Sequence, residues 1–300
     1  MIKPKRIKEG DTVFAVAPAG PVIEENFRKG IAALEEYGFK VKHRDDFLSA
    51  DDFLAGTDDR RTAELEEAFS DPETTAVFCA RGGYGSMRLL EKLDLRLIAG
   101  SRKPLIGFSD ITALQLALVA KENYPTFHGP LLTTLWREIA ISRRHLVEIL
   151  TGKTQSIRIF GPGAVTLSKG SAEGMLIGGN LSMISAMLGT DFMPPLEGAI
   201  LFLEDINEEP YRIDRLLMHL RLAGVFKKIS GLACGSLSSK PEETALILKS
   251  LKNALSGSSI PALFGMPWGH GQFNMTLCQG IRASMEADER SLTFLETCVE

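Results

Sequence analysis

Cysteine is scarce and scattered. Cys79, Cys234, Cys278 and Cys298 are the only 4 in 300 residues, and no two form a CxxC pair. This argues against both a zinc-thiolate site and a disulfide framework, and leaves reduced, buried thiols as the expectation. Positive charge is not in excess either: 34 Lys and Arg stand against 38 Asp and Glu, for a net charge of -4. With no general field for a polyanion, nucleic acid is not an expected partner. Long apolar runs are also missing; none approaches the roughly 20 residues of a bilayer-spanning helix, so no membrane association is expected. The basic start MIKPKRIKEGD runs into Gly10 and Asp11 instead of an apolar stretch. It does not read as a secretory signal, and the expected compartment is the cytoplasm. Internal repeats and low-complexity segments are lacking.

What is present is ordinary globular material, 44% hydrophobic and 24% charged, in a chain long enough for two domains. DTVFAVAPAG reads as a buried strand delivering a loop at its carboxyl end. The next segment, VIEENFRKGIAALEEYG, has Ile23, Phe27, Ile31, Leu34 and Tyr37 at helical spacing and stops at Gly38. VKHRD, DDRRTAELEEAF and TTAVFCARGG continue as strand, helix and strand; KPLIGFSD adds a strand and ITALQLALVAKE its helix. Alternation of this kind predicts an α/β fold with a doubly wound parallel sheet, whose ligands bind at the carboxyl ends of the strands. From Lys153 to Asn180 the texture turns to Gly, Ser, Thr and short apolar runs. The expected division is therefore an N-terminal α/β domain over 1–153, a linker region over 154–172, and a smaller mixed α/β domain over 173–300, richer in strand at its end.

The chemistry-bearing residues fall at strand ends. In ARGGYGS, Gly83 and Gly85 begin like GxGxxG, but Arg88 holds the third position, and the final Gly-Lys-Ser/Thr of a P-loop is missing. A glycine turn remains, either a plain tight turn or one that offers backbone N–H groups to an anion or oxyanion. Ser109 follows LIGF and precedes an amphipathic helix, the strand-turn-helix pattern of a nucleophile elbow, although Ile111 stands where GxSxG has its last glycine. Taken locally, Ser109 or Asp110 capping that helix is the plainer reading. A nucleophile needs a base. Of the five histidines, His145 and His219 lie in helices and read as structural, His43 ends an early strand, and His128 in TFHGP is a pocket candidate. His270 sits between Gly269 and Gly271 in a loop, where the backbone can approach a ligand closely. An acid to orient it is offered by LFLED: Glu204 is the candidate, whereas Asp205 reads as a cap for the helix starting near Pro210.

Together, VAPAGP, ARGGYGSMRLL, IGFSD, FHGP, GGNLSMISAMLGT, ILFLEDINEEPYRIDRLL and GMPWGHG resemble the L,D-carboxypeptidase family, which includes murein tetrapeptide carboxypeptidases and microcin C immunity hydrolases. The matches run in order from about residue 13 to 285. The resemblance implies an N-terminal domain of the class I glutamine amidotransferase-like kind and a Ser-Glu-His hydrolase: Ser109 the nucleophile, Glu204 the acid, His270 the base. It also implies an oxyanion hole from the N–H groups of Asp110 and of Gly83, chosen over Gly82, with neither metal nor cofactor. Removal of terminal D-alanine from a murein tetrapeptide in cell-wall recycling is the implied reaction, and a homodimer the implied assembly. Such a substrate carries a free carboxylate, for which Arg81 is the candidate cation, with Gly82 and His128 as further substrate contacts. Hydrolysis of an aminoacyl or peptidyl nucleotide is the rival within the class. A non-catalytic ligand-binding module, with Ser109 only a cap, is the rival of another class.

Overall fold

The computed structural model describes residues 2–153, 157–238 and 240–300. Along the first half, strands β1 (Thr12–Val16), β2 (Lys40–Lys42), β3 (Ala76–Cys79), β4 (Leu105–Gly107) and β5 (Thr126–His128) alternate with helices. The second half supplies β6 (Arg158–Phe160), β7 (Val165–Ser168), β8 (Ser171–Asn180), β9 (Ile200–Glu204), β10 (Gly231–Cys234), β11 (Ala262–Phe264), β12 (Leu277–Gln279), β13 (Arg282–Glu286) and β14 (Ser291–Phe294). Two sheets result, and the protein is a two-domain α/β fold, mostly parallel in its N-terminal sheet and mixed in its C-terminal one.

The first sheet has the order β12-β5-β4-β3-β1-β2. Its central strands are continuous apolar runs, TVFAV and AVFC, as parallel strands covered on both faces require. They pair in parallel, Val16 opposite Cys79 and Gly107 opposite His128, so their carboxyl ends form one edge. β12 pairs antiparallel with β5, so a short segment from near the chain's end closes this sheet. The second sheet runs β6-β14-β13-β8-β9-β10-β11-β7, parallel from β8 to β11 and antiparallel outside. It carries eight strands against six, so the half expected to be smaller builds the wider sheet. The expected linker, of which residues 154–156 lie outside the described residues, contributes β6 and β7. Its glycines turn strands instead of loosening a connection.

Helix Thr112–Glu122 explains how the halves are joined. Thr112 through Val119 are all buried, because this helix packs on β8 and on helix Leu181–Met187 as well as on its own sheet. Six of those eight residues are apolar, and the Gln115 amide donates to the Gly107 and Phe127 carbonyls at 2.8 Å each, so the helix can be enclosed on every side. The cores draw on both halves: Val16, Leu114, Leu181 and Leu201 share one apolar cluster, and Ala15, Phe127, Phe202 and Trp268 another. Continuous close packing of this sort holds the two strand-end edges at a fixed separation.

Candidate active site

At the carboxyl end of β4 the chain turns sharply. Phe108 is extended, and Ser109 adopts φ 65°, the left-handed region that a side chain enters at a cost of roughly 1–2 kcal/mol. The next residues wind into a short 3-10 turn, Ser109–Ile111, that runs into helix Thr112–Glu122. Neither helical segment receives a side-chain cap, so the plainer local reading, Ser109 or Asp110 as the cap of this helix, does not hold. Asp110 is bound elsewhere. Its buried carboxylate accepts the Ser86 N–H at 2.8 Å, while the Ser86 hydroxyl donates to the Asp110 carbonyl at 2.5 Å. Burial pushes the Asp110 carboxyl above its ordinary value despite these donors. These bonds clamp the glycine turn onto the elbow.

The turn itself lies against Ser109. A Cβ on Gly82 would stand 3.0 Å from Ser109 Cβ and 3.1 Å from its hydroxyl oxygen, so only glycine fits without displacing the serine. Gly83 adopts φ 106°, and its N–H has no backbone acceptor among the described residues. The Asp110 N–H lies in the first helical turn, where no preceding turn supplies a carbonyl. Arg81 donates to the Pro21 carbonyl and has no carboxylate partner among the described residues. Arg61, which no local sequence signal singles out, is fully buried. It donates to the carbonyls of Pro18 at 2.6 Å and Gly85 at 2.9 Å, tying the loops after β1 and β3 together.

On the facing edge, Glu204 ends β9 with 0% of its surface exposed. His270 Nδ1 donates to Glu204 Oε2 at 2.6 Å, an assignment that follows because a carboxylate only accepts. Burial pushes the Glu204 carboxyl up, but the bond and charge of His270 outweigh it and hold the carboxyl below its ordinary value. Gly269, at φ 85°, lets the loop come this close; a Cβ there would stand 2.5 Å from Glu204 Cβ. The Phe108 ring, beside Ser109, lies 4.5 Å from the His270 ring.

Ser109 and His270 face one cleft of about 440 Å³, with Arg81, Gly82, Gly83 and Asp110 along its N-terminal wall and Asn180, Asp205 and Glu208 along the other. No hydrogen bond joins the Ser109 hydroxyl to the His270 ring. Among the described residues, no group of three or more His, Cys, Asp or Glu could hold a metal ion. No helix there is long and apolar enough to cross a membrane.

Two expectations need correction. His128 does not contact the cleft: it is fully buried with its ring 5.7 Å from Phe108 and 5.1 Å from Phe202, and burial pushes it down to about 4. β5 carries it into the layer between the sheets, where only a neutral imidazole is tolerated. Asp205 does not cap the helix at Pro210 but accepts from Asn180 Nδ2 at 3.1 Å and from the N–H and hydroxyl of Ser182 at 2.9 and 2.8 Å. The register of β8 and β9 sets Asn180 opposite Glu204, so the carboxylate following Glu204 meets the helix that follows Asn180. The signal available was two apolar strands each ending in polar residues, GGNLS and FLED, but pairing between strands 24 residues apart is not written in either.

The family described as LD-carboxypeptidase N-terminal domain matches residues 13–129, and the LD-carboxypeptidase C-terminal domain matches 173–285. The chain is 35% identical over 303 residues to the probable murein peptide carboxypeptidase of Bacillus subtilis (strain 168), covering 96% of this chain and 93% of that one. It is 32% identical over 290 residues to the murein tetrapeptide carboxypeptidase of Pseudomonas aeruginosa, covering 92% and 93%. Among solved structures, the microcin C7 self immunity protein MccF in its wild type apo state superposes with a TM-score of 0.93 at 26% identity, covering 100% of both chains.

Proposed function

Because the chain belongs to the LD-carboxypeptidase family, we propose that it is a serine-type L,D-carboxypeptidase that releases the terminal D-alanine of a murein tetrapeptide in cell-wall recycling. The observation that carries this reading is the buried Glu204–His270 pair, bonded at 2.6 Å, on the same cleft as a serine held in a left-handed turn. His270 takes the Ser109 proton at Nε2 as the serine oxygen attacks the amide carbonyl carbon. Glu204 fixes the tautomer that leaves Nε2 free and stabilises the imidazolium. The N–H groups of Gly83 and Asp110 receive the oxyanion of the tetrahedral intermediate. His270 then protonates the leaving amine of D-alanine, and water, deprotonated by His270, releases the acyl group from Ser109. Arg81, beside the glycine turn, suits the substrate's terminal carboxylate, which lies one residue from the attacked carbonyl.

Ser109→Ala tests this directly: D-alanine release from the tetrapeptide should vanish with the unfolding transition intact, and undiminished turnover would remove Ser109 from the mechanism. The likeness to MccF favours a second reading, hydrolysis of an aminoacyl nucleotide. Side-by-side kcat/KM values for the tetrapeptide and an aminoacyl sulfamoyl adenosine analogue of matched side chain decide between them, and the first reading expects clear preference for the peptide. On the same reading the enzyme works as a homodimer in the cytoplasm, which light scattering and cell fractionation test.

A further inference from the structure

We propose that the exposed face of helix Pro210–Leu222 beside the cleft is an anion subsite, where Arg215 with Arg212 takes a carboxylate of an acidic peptide upstream of the scissile bond. This rests on the peptidase reading of the cleft and names the substrate feature the cleft selects. A second depression of about 300 Å³ is lined by Ser182, Glu208, Tyr211, Arg212, Arg215 and Leu216. Ser182 and Glu208 also line the cleft of Ser109 and His270, so the two adjoin. Ser109 does not reach the second depression, which places it beyond the scissile position. Arg81 is the cation next to the attacked bond, one residue from the glycine that abuts Ser109. A terminal carboxylate therefore falls to Arg81, and an acidic group further along the peptide falls to the second depression.

The charges there favour an anion. Arg212 is bonded to Glu208 at 3.5 Å, the one carboxylate lining the depression. Arg215 has no carboxylate partner among the described residues, so one guanidinium stands in excess. Both guanidiniums lie near the exposed Tyr211 ring, at 5.6 Å for Arg215 and 5.9 Å for Arg212. Stacking of this kind limits the rotamers of a long side chain and presents its N–H fork to a planar oxyanion, a geometry a lysine does not reproduce.

The test is equilibrium binding by calorimetry to the Ser109→Ala protein, using the murein tetrapeptide and the same peptide with its upstream carboxylates converted to amides. Amidation should weaken binding roughly fivefold, as expected of one partly solvated charge pair, and the difference should shrink in high salt. Adding Arg215→Ala should abolish the difference and leave the affinity for the amidated peptide unchanged, while Arg215→Lys restores only part of it. A difference that survives Arg215→Ala overturns the subsite, as does failure of both peptides to bind. Tighter binding of adenosine monophosphate than of the acidic peptide assigns the guanidiniums to a phosphate and overturns the carboxylate. Wild-type protein that binds the acidic peptide preferentially but releases no D-alanine overturns the peptidase reading and leaves the subsite standing.

Discussion

Replacing His270 by alanine should destabilise the protein far more than its position in a loop suggests, because it strands a buried charge. Glu204 is wholly buried, its Oε1 has no protein partner among the described residues, and its Oε2 is held by His270 at 2.6 Å. Removing one partner of such a pair costs about 3 kcal/mol or more, whereas replacing both with neutral groups can cost little. The pH dependence follows from the sign of each shift. In the wild type the Glu204 carboxyl is held below its ordinary value of 4.5. Its contribution is therefore complete above 4.5 and lost as pH falls through the lower folded value. Without His270, burial dominates and the carboxyl rises above its unfolded value, so the variant loses stability as pH rises past that value and regains it on acidification. The difference between wild type and His270→Ala in urea-unfolding free energy should thus be large at pH 7 and shrink toward pH 4. The double variant Glu204→Gln/His270→Ala should be more stable at pH 7 than His270→Ala alone, which is the non-additivity expected of a coupled pair. A His270→Ala protein as stable as wild type at pH 7, with no change in the difference on acidification, would refute the reasoning.

His128 gives a separate acid effect. Its ordinary value of 6.5 is pushed down to about 4 in the folded protein, so the unfolded chain takes up a proton first as pH falls, and stability is lost from 6.5 down to about 4. His128→Leu should flatten that loss by about 2 kcal/mol, read from urea unfolding at pH 7 and 4.5; an unchanged slope would mean the imidazole is not buried neutral. Gly82→Ala would put a Cβ 3.0 Å from that of Ser109 and should lower kcat at least about tenfold with little change in Tm, since a small misplacement of a reacting atom is expensive. Wild-type kcat would show that the serine has room to yield. Asp205→Ala removes the acceptor of the Asn180 and Ser182 donors and should cost roughly 3 kcal/mol by urea unfolding, with a cost under about 1 kcal/mol counting against its anchoring role.

The parts of this molecule that could be read in advance are those whose signal is local. Apolar runs ending in small or polar residues marked β1, β3, β4 and β9, and so also marked the two edges on which Ser109 and Glu204 fall. The GHG loop could be read because two glycines around a histidine are a backbone statement as much as a chemical one. Features set by pairing were hidden. β12 is three residues long, too short for periodicity to register, and it joins β5 across about 150 residues of chain. The depth of His128 depends on what covers the end of β5, and Phe202 from the other half covers it. Whether Ser109 caps or projects turns on one dihedral angle, and no neighbouring residue type announces φ 65° at a serine.

That dihedral also bears on why the cleft is a site and not a packing accident. A left-handed serine costs stability, and replacement by glycine would remove the cost. A buried Glu–His pair is, by general experience, no more stable than an apolar pair of the same volume. A glycine turn whose N–H finds no partner among the described residues forgoes a hydrogen bond that a different loop would make. Each is tolerable singly in any protein. Their convergence on one 440 Å³ cleft, from strand ends belonging to two different sheets, is difficult to derive from folding stability, because every local alternative is equal or better for the fold. On the hydrolase reading proposed above, catalysis supplies the missing reason: the strain would expose an oxygen, the pair would set a tautomer, and the N–H groups would be held ready for a charge that exists only during reaction.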